Sequence, residues 1–476
     1  MHIEIITFFA YFFALILLAI FTSKRQKSNV DYVMGGRSLN FWLTALSAHA
    51  SDMSSWLFLA YPALIYQQGI QGIWSAIGLT TCMFLNWQFV APKIRTQTES
   101  LQCVTLSGYF EKRFEDSSGK LRIVSAFASC FFYCIYIAAG LVALGLLSES
   151  LFSIHYTLGI TVGILIVMFY VFIGGYTTVA WIDLVQGLFL LGVILLLPSL
   201  LWVELDASSS IVDAFTKRGL SFSLIPSFSV TSLWSIVALT FGWGLGYFGQ
   251  PHIVTKFMGI QKAKDIPKSK YLGISWQILA LGGASCIAIL GIGLFPQELA
   301  NPETLLLQMV ERYLSPFFGA LVLCAILAAT TNVMAAQILV VATSLAEDFY
   351  KYFFAKTLAG KSLLWASKCS VILISLIAFL IAFFQISSIY GLVFYAWSGI
   401  GGTFGPVLLW SLYRKNLTRE SALAGIISGA CIGGIWPYFD AQYGWNIPAL
   451  FPVFIVSSAC LYGISSITHN VRRTIR

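Results

Sequence analysis

Charged residues are scarce in this sequence. Only 10% of its 476 residues are Asp, Glu, Lys or Arg, and 58% are hydrophobic, whereas a soluble domain carries roughly 25% charged residues. The mean hydropathy of +0.82 and the lack of any long polar stretch exclude a water-soluble class. Apolar runs long enough to cross a ~30 Å hydrocarbon layer recur along the whole length. We therefore expect a single domain, residues 1–476, embedded in membrane lipid.

Patterns for metal binding, disulfide bonds and enzymatic nucleophiles are also missing. The nine cysteines are an odd number, lie mostly within apolar runs and show no metal-ligand spacing, which favours reduced thiols without a structural metal. Ionisable residues at membrane depth are too few to form a cluster of nucleophiles or metal ligands. We expect no bound cofactor and no enzyme activity.

The apolar runs predict thirteen membrane-spanning helices. They lie at residues 5–22, 40–66, 69–92, 121–150, 156–174, 179–204, 230–258, 272–294, 313–350, 364–384, 388–412, 421–437 and 445–467.

The basic residues predict the orientation of these spans. With the N-terminus outside, alternate loops are cytoplasmic, and they hold 25 of the 28 Lys and Arg residues, all except Lys217, Arg218 and Arg312. Such a bias is typical of the positive-inside rule and places the C-terminus in the cytoplasm. The net charge of +8 therefore reflects topology, and we expect no nucleic-acid partner.

A single carboxylate stands within the second span. Asp52 lies in an otherwise uncharged stretch, residues 41–66, among small and polar neighbours such as His49, Ser51 and Ser54. An ionisable group at bilayer depth costs at least ~2.5 kcal/mol, so by default it marks a pathway or a binding site. This position favours a solute transporter.

The seventh span is unusually rich in glycine. Residues 241–252 contain Gly242, Gly244, Gly246 and Gly249, a density that favours opening of the helix and frees backbone groups that lipid would not tolerate. The second span, five spans earlier, is similarly rich in small and polar residues. Breaks in two spans five apart are typical of inverted-repeat transporters with a site near the membrane midplane. Close helix packing is the alternative explanation for the glycines.

This pattern predicts an all-α polytopic fold with a five-plus-five inverted-repeat core whose first and sixth helices are broken. The extra N-terminal helix is 5–22, the first repeat 40–204, the second repeat 230–412, and two extra C-terminal helices occupy 421–467. N-termini of the half-helices would offer positive dipole ends to a substrate carboxylate, and freed carbonyls would hold a cation.

Several segments resemble motifs of the sodium/solute symporter family, and most closely its sodium/proline branch. They are residues 35–39, 50–54, 174–176 with 181–183, 244–252 and 347–351. The likeness extends over roughly residues 5 to 440 with compatible spacing, and the run from Gly246 to His252 is its most specific part. The resemblance implies thirteen spans, a leucine-transporter-type fold and a place in the plasma (bacterial inner) membrane.

The resemblance also implies roles for individual residues. The carbonyls of Ala50 and Met53 would contact sodium, and Asp183 would serve ion passage on the cytoplasmic side, unless it is merely a carboxylate near a short loop. Proline suits the residues that the resemblance assigns to substrate binding, because its secondary ammonium and apolar ring would meet aromatic faces. The substrate-binding candidates are Asp52, Ser54, Ser55, Tyr136, Trp243, Tyr247 and Pro251.

The ninth span departs from the family. Its small and polar patch, residues 328–337, has Asn332 and Val333 where the family has serine and threonine, whose hydroxyls complete the sodium shell. Ala335 replaces a further serine. Ala329 and Asn332 would belong to the sodium site. This site would be degenerate, because the side chain of Val333 has no donor atom. We expect weaker sodium binding.

His49 replaces a small family residue beside this site, and Ser55 replaces a glycine. An imidazole three residues from Asp52 shares a face with it if the helix is regular. A protonated His49 would then supply the charge that sodium normally brings and couple transport to protons. The alternative is a neutral His49 that bonds a backbone carbonyl at a helix contact.

We expect a secondary transporter that imports a small zwitterionic amino acid, proline foremost, by alternating access. Na+ or H+ is the expected coupling ion, and no obligatory protein partner is expected. Ion-independent exchange is one alternative. A channel-like or sensory membrane protein is the alternative from another class, although the chain shows no long polar stretch for a signalling domain.

Overall fold

The computed structural model describes residues 2–23, 28–152, 154–205, 211–354, 361–384 and 387–474. This part of the chain is helical, and its single extended pairing is an isolated parallel bridge between Leu39 and Ile260. Some of the basic residues counted as cytoplasmic lie outside the described residues: Lys24, Arg25, Lys27, Lys356 and Arg476.

Twenty α-helices are present in the described ranges. They are α1 (His2–Thr22), α2 (Asn29–Met34), α3 (Phe41–Ala50), α4 (Ala60–Gln68), α5 (Ile73–Leu85), α6 (Ala91–Ser100), α7 (Leu106–Arg113), α8 (Lys120–Phe152), α9 (Tyr156–Trp202), α10 (Ile211–Lys217), α11 (Val230–Gly244), α12 (Pro251–Gly259), α13 (Ile266–Leu294), α14 (Leu305–Tyr313), α15 (Pro316–Ser344), α16 (Lys351–Phe354), α17 (Lys361–Phe383), α18 (Ile389–Tyr413), α19 (Arg419–Tyr443) and α20 (Leu450–Thr474). Short 3-10 turns are Gly35–Arg37, Ser55–Leu57, Gly69–Gly72, Leu245–Gly249, Ala263–Asp265 and Pro302–Thr304, and π-helical turns are Asn86–Val90 and Leu345–Tyr350.

Nine helical stretches among the described residues are long and apolar enough to cross a membrane. They are Lys120–Glu149, Tyr156–Trp202, Val230–Gly249, Ala263–Leu294, Pro316–Phe354, Lys361–Phe383, Ile389–Tyr413, Arg419–Tyr443 and Leu450–Thr468. Phe9–Thr22 is a shorter apolar helix. The total of thirteen spans therefore stays a prediction.

The helix α9 is 47 residues long and covers two of the predicted spans, 156–174 and 179–204. Instead of an open loop between them, the helix kinks at Gly175, whose φ of 60° lies in the left-handed region that favours glycine. A Cβ at this position would lie 2.6 Å from Tyr32. The two spans are thus joined by a tight bend against α2.

The second predicted span is broken, as the sequence indicated. The Asn40 side chain caps α3 by accepting the Leu43 N–H, and this helix ends at Ala50. Regular α-helix resumes only at Ala60, after the 3-10 turn Ser55–Leu57. The intervening backbone leaves carbonyls outside any helical ladder at the place where Asp52 lies.

The seventh predicted span is broken as well. The helix α11 tightens into the 3-10 turn Leu245–Gly249, and α12 begins after the extended residue Gln250. Two carbonyls of this segment are bonded by side chains from neighbouring helices: the Asn86 amide donates to that of Tyr247 and the Trp397 indole to that of Trp243, each at 2.9 Å. The break is therefore stabilised by tertiary hydrogen bonds, as lipid-embedded backbone requires.

A backbone pairing connects the two broken segments. Leu39, just before α3, exchanges backbone hydrogen bonds with the end of α12, because its N–H donates to Gly259 and its carbonyl accepts from Gln261. The start of one segment thus lies beside the end of the other. Around this pair, α9 packs along α1, α3, α13 and α15, while α18 packs on α8, α19, α20 and the turn Leu245–Gly249.

Candidate substrate and cation site

A small cavity lies where the two breaks meet. It contains about 270 Å³ of space between atoms, part of which is open to solvent. The lining residues are Asp52, Met53, Ser54, Trp56, Leu79, Tyr136, Trp243, Tyr247, Val393 and Trp397.

Asp52 and Tyr247 connect the two breaks. The Tyr247 hydroxyl donates a hydrogen bond to Asp52 Oδ2, and both side chains are buried. Gln277 of α13 donates from Nε2 to the same hydroxyl at 3.2 Å. Among the residues that the structure describes, no basic side chain forms an ion pair with Asp52, so its charge is balanced by dipoles and is available to a cation.

Aromatic rings form much of the cavity wall. The ring of Trp56 lies 5.0 Å from that of Trp243 and 5.0 Å from that of Tyr61, and the ring of Tyr247 meets Trp397 edge-on at 5.1 Å. Aromatic faces attract cations through their quadrupole and also accommodate apolar rings. The wall therefore suits a solute that combines an ammonium group with a hydrocarbon body.

Neutral oxygen atoms near the break in the second span are the candidate ligands of a cation. Among the described residues, no hydrogen bond is made to the carbonyls of Ala50 and Met53. On α15, which packs on the turn Ser55–Leu57, Asn332 is fully buried and neither amide atom has a hydrogen-bond partner. Oxygen donors are what hard cations prefer, and Asn332 Oδ1 is available to act as one. Ala329, one turn earlier, is buried on the same helix.

A clustered metal centre is not formed by the residues that the structure describes. No group of three or more His, Cys, Asp or Glu side chains is close enough there to hold a metal ion. The nine cysteines are free thiols.

Of the substrate candidates, Pro251 and Ser55 do not line the cavity of Asp52, and neither does Asp183, the candidate for ion passage. Pro251 lines a second cavity of about 570 Å³, together with Tyr176 and Lys256. The Ser55 side chain is buried and its hydroxyl has no partner among the described residues. Asp183 is fully buried and forms an ion pair with Lys256. The other substrate candidates, Asp52, Ser54, Tyr136, Trp243 and Tyr247, are brought together.

The expected pairing of His49 with Asp52 is not formed, because α3 ends at Ala50 and the helical i, i+3 relation does not extend across the break. Instead, His49 Nε2 accepts a hydrogen bond from the indole N–H of Trp87 at 3.0 Å. The alternative, a bond to a backbone carbonyl, is also not observed at this nitrogen. Gly273 leaves room for the imidazole, since a Cβ there would lie 2.2 Å from His49 Cδ2.

The residues of the region that sequence reasoning missed include Asn86, Lys256, Gln277, Trp397 and also Trp56, which lines the cavity. Asn86 and Gln277 carried a signal, because uncharged amides inside apolar spans are often polar contacts of a bundle interior. Lys256 stood at the end of the seventh span, where it counted as cytoplasmic. Trp397 carried no signal, since aromatic residues are frequent throughout the chain.

Comparisons with known proteins point to one family. The model of the sodium:solute symporter family matches residues 32–429. The chain is 36% identical over 464 residues to the sodium/proline symporter of Salmonella typhimurium, covering 95% of this chain and 91% of that one. It is 35% identical over 458 residues to the high-affinity proline transporter PutP of Bacillus subtilis, covering 95% and 96%.

Solved structures share the fold. A Na+-coupled sialic acid symporter in a substrate-bound outward-open state superimposes with a TM-score of 0.81 at 20% identity, covering 98% of each chain. MhsT in complex with L-phenylalanine gives a TM-score of 0.55 at 12% identity, covering 89% of this chain and 97% of that one. These similarities confirm the expected leucine-transporter-type fold.

Proposed function

The chain belongs to the sodium:solute symporter family, and from this premise we propose that it is a sodium-coupled symporter that imports proline. Like its relatives, it is a membrane transporter, and it is not an enzyme. The observation that carries the proposal is the contact of Tyr247 with Asp52 where two broken helices meet. That junction provides one buried negative charge, opened backbone and aromatic walls in a small cavity.

Proline matches this cavity group by group. Its secondary ammonium suits the Asp52 carboxylate and the aromatic faces, and its pyrrolidine ring suits the apolar surface of Trp56 and Trp243. Relatives with about 35% identity over nearly the whole chain are named for proline transport. Ser54 and Tyr136, which also line the cavity, supply hydroxyls for the polar end of the solute.

Sodium would be held by the carbonyls of Ala50 and Met53 and by Asn332 Oδ1. Val333 adds no donor atom at the neighbouring position, so the site would have fewer ligands than the family motif implies and would bind sodium weakly. A cation that binds beside Asp52 and orders the break raises the affinity for the solute by the coupling free energy, and the solute raises the affinity for the cation equally.

Proton coupling through His49 is less well supported. His49 Nε2 accepts from Trp87, and an indole nitrogen can only donate. A protonated imidazole would place two donors against each other in a fully buried place, so the geometry favours a neutral His49. His49 also makes no direct contact with Asp52, so a charge on its imidazole would not be coupled directly to the solute site.

We also propose the orientation and division expected from the sequence. The N-terminus would be outside and the C-terminus cytoplasmic, with 5–22 as an extra helix, 40–204 and 230–412 as the repeats and 421–467 as two further helices. The start of α3 lies beside the end of α12, where Leu39 pairs with Ile260, and this placement supports repeats of inverted topology.

The test is uptake of labelled proline into proteoliposomes under one imposed gradient at a time. We expect accumulation under an inward sodium gradient and none under a proton gradient alone. Accumulation under the proton gradient alone, without a response to sodium, would refute sodium coupling. Absence of proline uptake under every gradient, with sodium-dependent uptake of another amino acid, would refute proline as the substrate.

A double variant tests the cation site. Asn332→Ser with Val333→Thr restores two hydroxyls, and we expect half-maximal uptake at a sodium concentration about tenfold lower, a gain of roughly 1.4 kcal/mol. Val322→Thr is the matched control, because it adds the same hydroxyl at another buried position of α15. An equal response of both variants would contradict the assignment.

A further inference from the structure

A line of buried polar side chains, hydrogen-bonded in two stretches, leads from Trp87 to Asp52. The Trp87 indole donates to His49 Nε2 at 3.0 Å, Gln277 Nε2 donates to the Tyr247 hydroxyl at 3.2 Å, and that hydroxyl donates to Asp52. Trp87, His49, Gln277 and Tyr247 are completely shielded from solvent. They come from four separate parts of the fold.

The two stretches of this line end at His49 and at Gln277. Gln277 lies one helical turn after Gly273, where a Cβ would lie 2.2 Å from His49 Cδ2. Neither His49 Nδ1, a potential donor, nor Gln277 Oε1, an acceptor, has a hydrogen-bond partner among the described residues. A bond between them would satisfy both, and buried polar groups are rarely left unsatisfied.

Chemistry assigns a single direction to every hydrogen bond in the line. An indole N–H can only donate, so His49 Nε2 is an acceptor and the proton of the neutral imidazole is on Nδ1. Nδ1–H then donates to Gln277 Oε1, which turns the amide NH2 toward the Tyr247 hydroxyl. That hydroxyl accepts from the amide, and its own proton points to Asp52, where an ionised carboxylate can only accept.

We propose that Trp87, His49 and Gln277 are positioning residues of the solute site, which hold the Tyr247 hydroxyl toward Asp52 through a one-way hydrogen-bond relay. The proposal rests on the proposed function, because it takes Asp52 and Tyr247 as part of the solute site. The relay explains why a histidine occupies this buried place opposite Gly273: its two ring nitrogens differ in role, which no small residue could provide.

Loss of the Trp87 donor removes the direction of the relay. Without it, the other tautomer of His49 becomes accessible, with the proton on Nε2 and an acceptor at Nδ1. Gln277 would then turn its NH2 to His49 and its oxygen to Tyr247, and the Tyr247 hydroxyl would be drawn away from Asp52. A change that touches neither the cavity nor the cation ligands would thereby alter solute binding.

The experiment compares two tryptophans near His49. Trp87→Phe removes the donor of the relay. Trp276→Phe removes an equally buried indole whose ring lies 6.4 Å from that of His49 but whose N–H donates to the Gly187 carbonyl. Equilibrium binding of labelled proline to the purified protein in saturating sodium is measured for each. We expect Trp87→Phe to weaken binding about tenfold and Trp276→Phe to change it less than twofold.

Double variants separate a relay from independent packing effects. With Gln277→Leu already in place, Trp87→Phe should add no further loss of affinity, whereas Trp276→Phe should have its own small effect unchanged. Equal losses from the two tryptophan variants, or full additivity of Trp87→Phe and Gln277→Leu, would overturn the relay.

A spectroscopic measurement does not depend on transport. Nitrogen-15 NMR of histidine-labelled protein at neutral pH, with His49→Gln to identify the signals of His49, should show a neutral ring protonated at Nδ1. Protonation at Nε2, or at both nitrogens, would overturn the proposal. If wild type binds no proline, the proposed substrate fails, while the tautomer of His49 still decides on the relay.

Discussion

The ammonium nitrogen of Lys256 lies 2.9 Å from Oδ2 of Asp183, and both side chains are almost completely buried. Ser47 Oγ donates to the same carboxylate oxygen at 2.6 Å. This ion pair joins α12 to α9 and, through Ser47, to α3. It therefore connects both broken segments to the long helix that supports them, and the expected role of Asp183 in ion passage must operate alongside a built-in positive charge.

Removing one partner of this pair should be strongly destabilising. Lys256→Met leaves the Asp183 carboxylate buried without compensation, which costs about 3–5 kcal/mol. Thermal unfolding in detergent measures the loss. Lys268→Met is the control, because Lys268 forms an exposed pair with Asp265 and should cost at most about 1 kcal/mol.

The double variant Lys256→Met with Asp183→Asn distinguishes the charge from the shape of the side chains. Because no charge is left uncompensated, we expect most of the lost stability to return. If the double variant is less stable than Lys256→Met alone, the ion pair is not the reason for the loss.

The Tyr247 hydroxyl should matter for solute affinity more than for stability. Tyr247→Phe removes the hydrogen bond to Asp52 and should weaken proline binding by about 1–2 kcal/mol, or roughly five- to thirtyfold. Equilibrium binding in sodium checks this. Tyr66→Phe is the control, since the Tyr66 hydroxyl bonds the carbonyls of Phe295 and Gln297 away from the cavity and should leave affinity unchanged. Comparable losses in the two variants would contradict the site.

Gly249 should not tolerate a side chain. A Cβ at Gly249 would lie 2.4 Å from the Gly401 carbonyl oxygen and 2.5 Å from the Gly405 nitrogen, and backbone atoms of α18 cannot move aside cheaply. We expect Gly249→Ala to lower the yield of monodisperse protein and its unfolding temperature. Gly282→Ala in α13, where nothing lies within 4 Å of the added atom, should be neutral or stabilising by up to about 1 kcal/mol. If Gly249→Ala were more stable than Gly282→Ala, the close approach of Gly249 to α18 would not be what excludes a side chain there.

Asp116 should stabilise the loop before α8. Burial raises its pKa, but hydrogen bonds from Ser118 and from the Leu121 N–H, together with Arg419, hold the pKa of this carboxyl below its usual value of 3.8. Its contribution is therefore complete above pH 3.8 and is lost as the pH falls through the lowered pKa. Asp116→Asn should cost about 1.5–3 kcal/mol at pH 7.

Unfolding curves of this variant are compared with those of Glu115→Gln, which changes the exposed neighbouring carboxylate. The difference between wild type and Asp116→Asn should shrink as the pH is lowered toward 3. A difference that is constant with pH would mean that the charge of Asp116 is not the stabilising element.

The sequence predicted the two broken spans because their cause is local. Glycine density in residues 241–252 and polar residues around Asp52 lower helix stability in lipid wherever they stand, so the breaks and the cavity between them could be expected. The position of Asp52 beside Tyr247 followed from the family resemblance. The link between two spans 156–174 and 179–204 was expected as a loop and is a kink, because Gly175 permits a tight bend that hydropathy does not record.

Hydropathy and composition by themselves determined that this chain is a helical membrane protein. Asp52 and the glycine-rich seventh span indicated a transporter, since the cost of placing charge and open backbone in lipid acts on each segment separately. Only the tertiary structure decided which polar side chain meets which. His49 pairs with Trp87 rather than with Asp52, and Asp183 pairs with Lys256, 73 residues away. Such pairs depend on how distant helices pack, and the direction of each hydrogen bond depends in turn on whether the partner can only donate or can also accept.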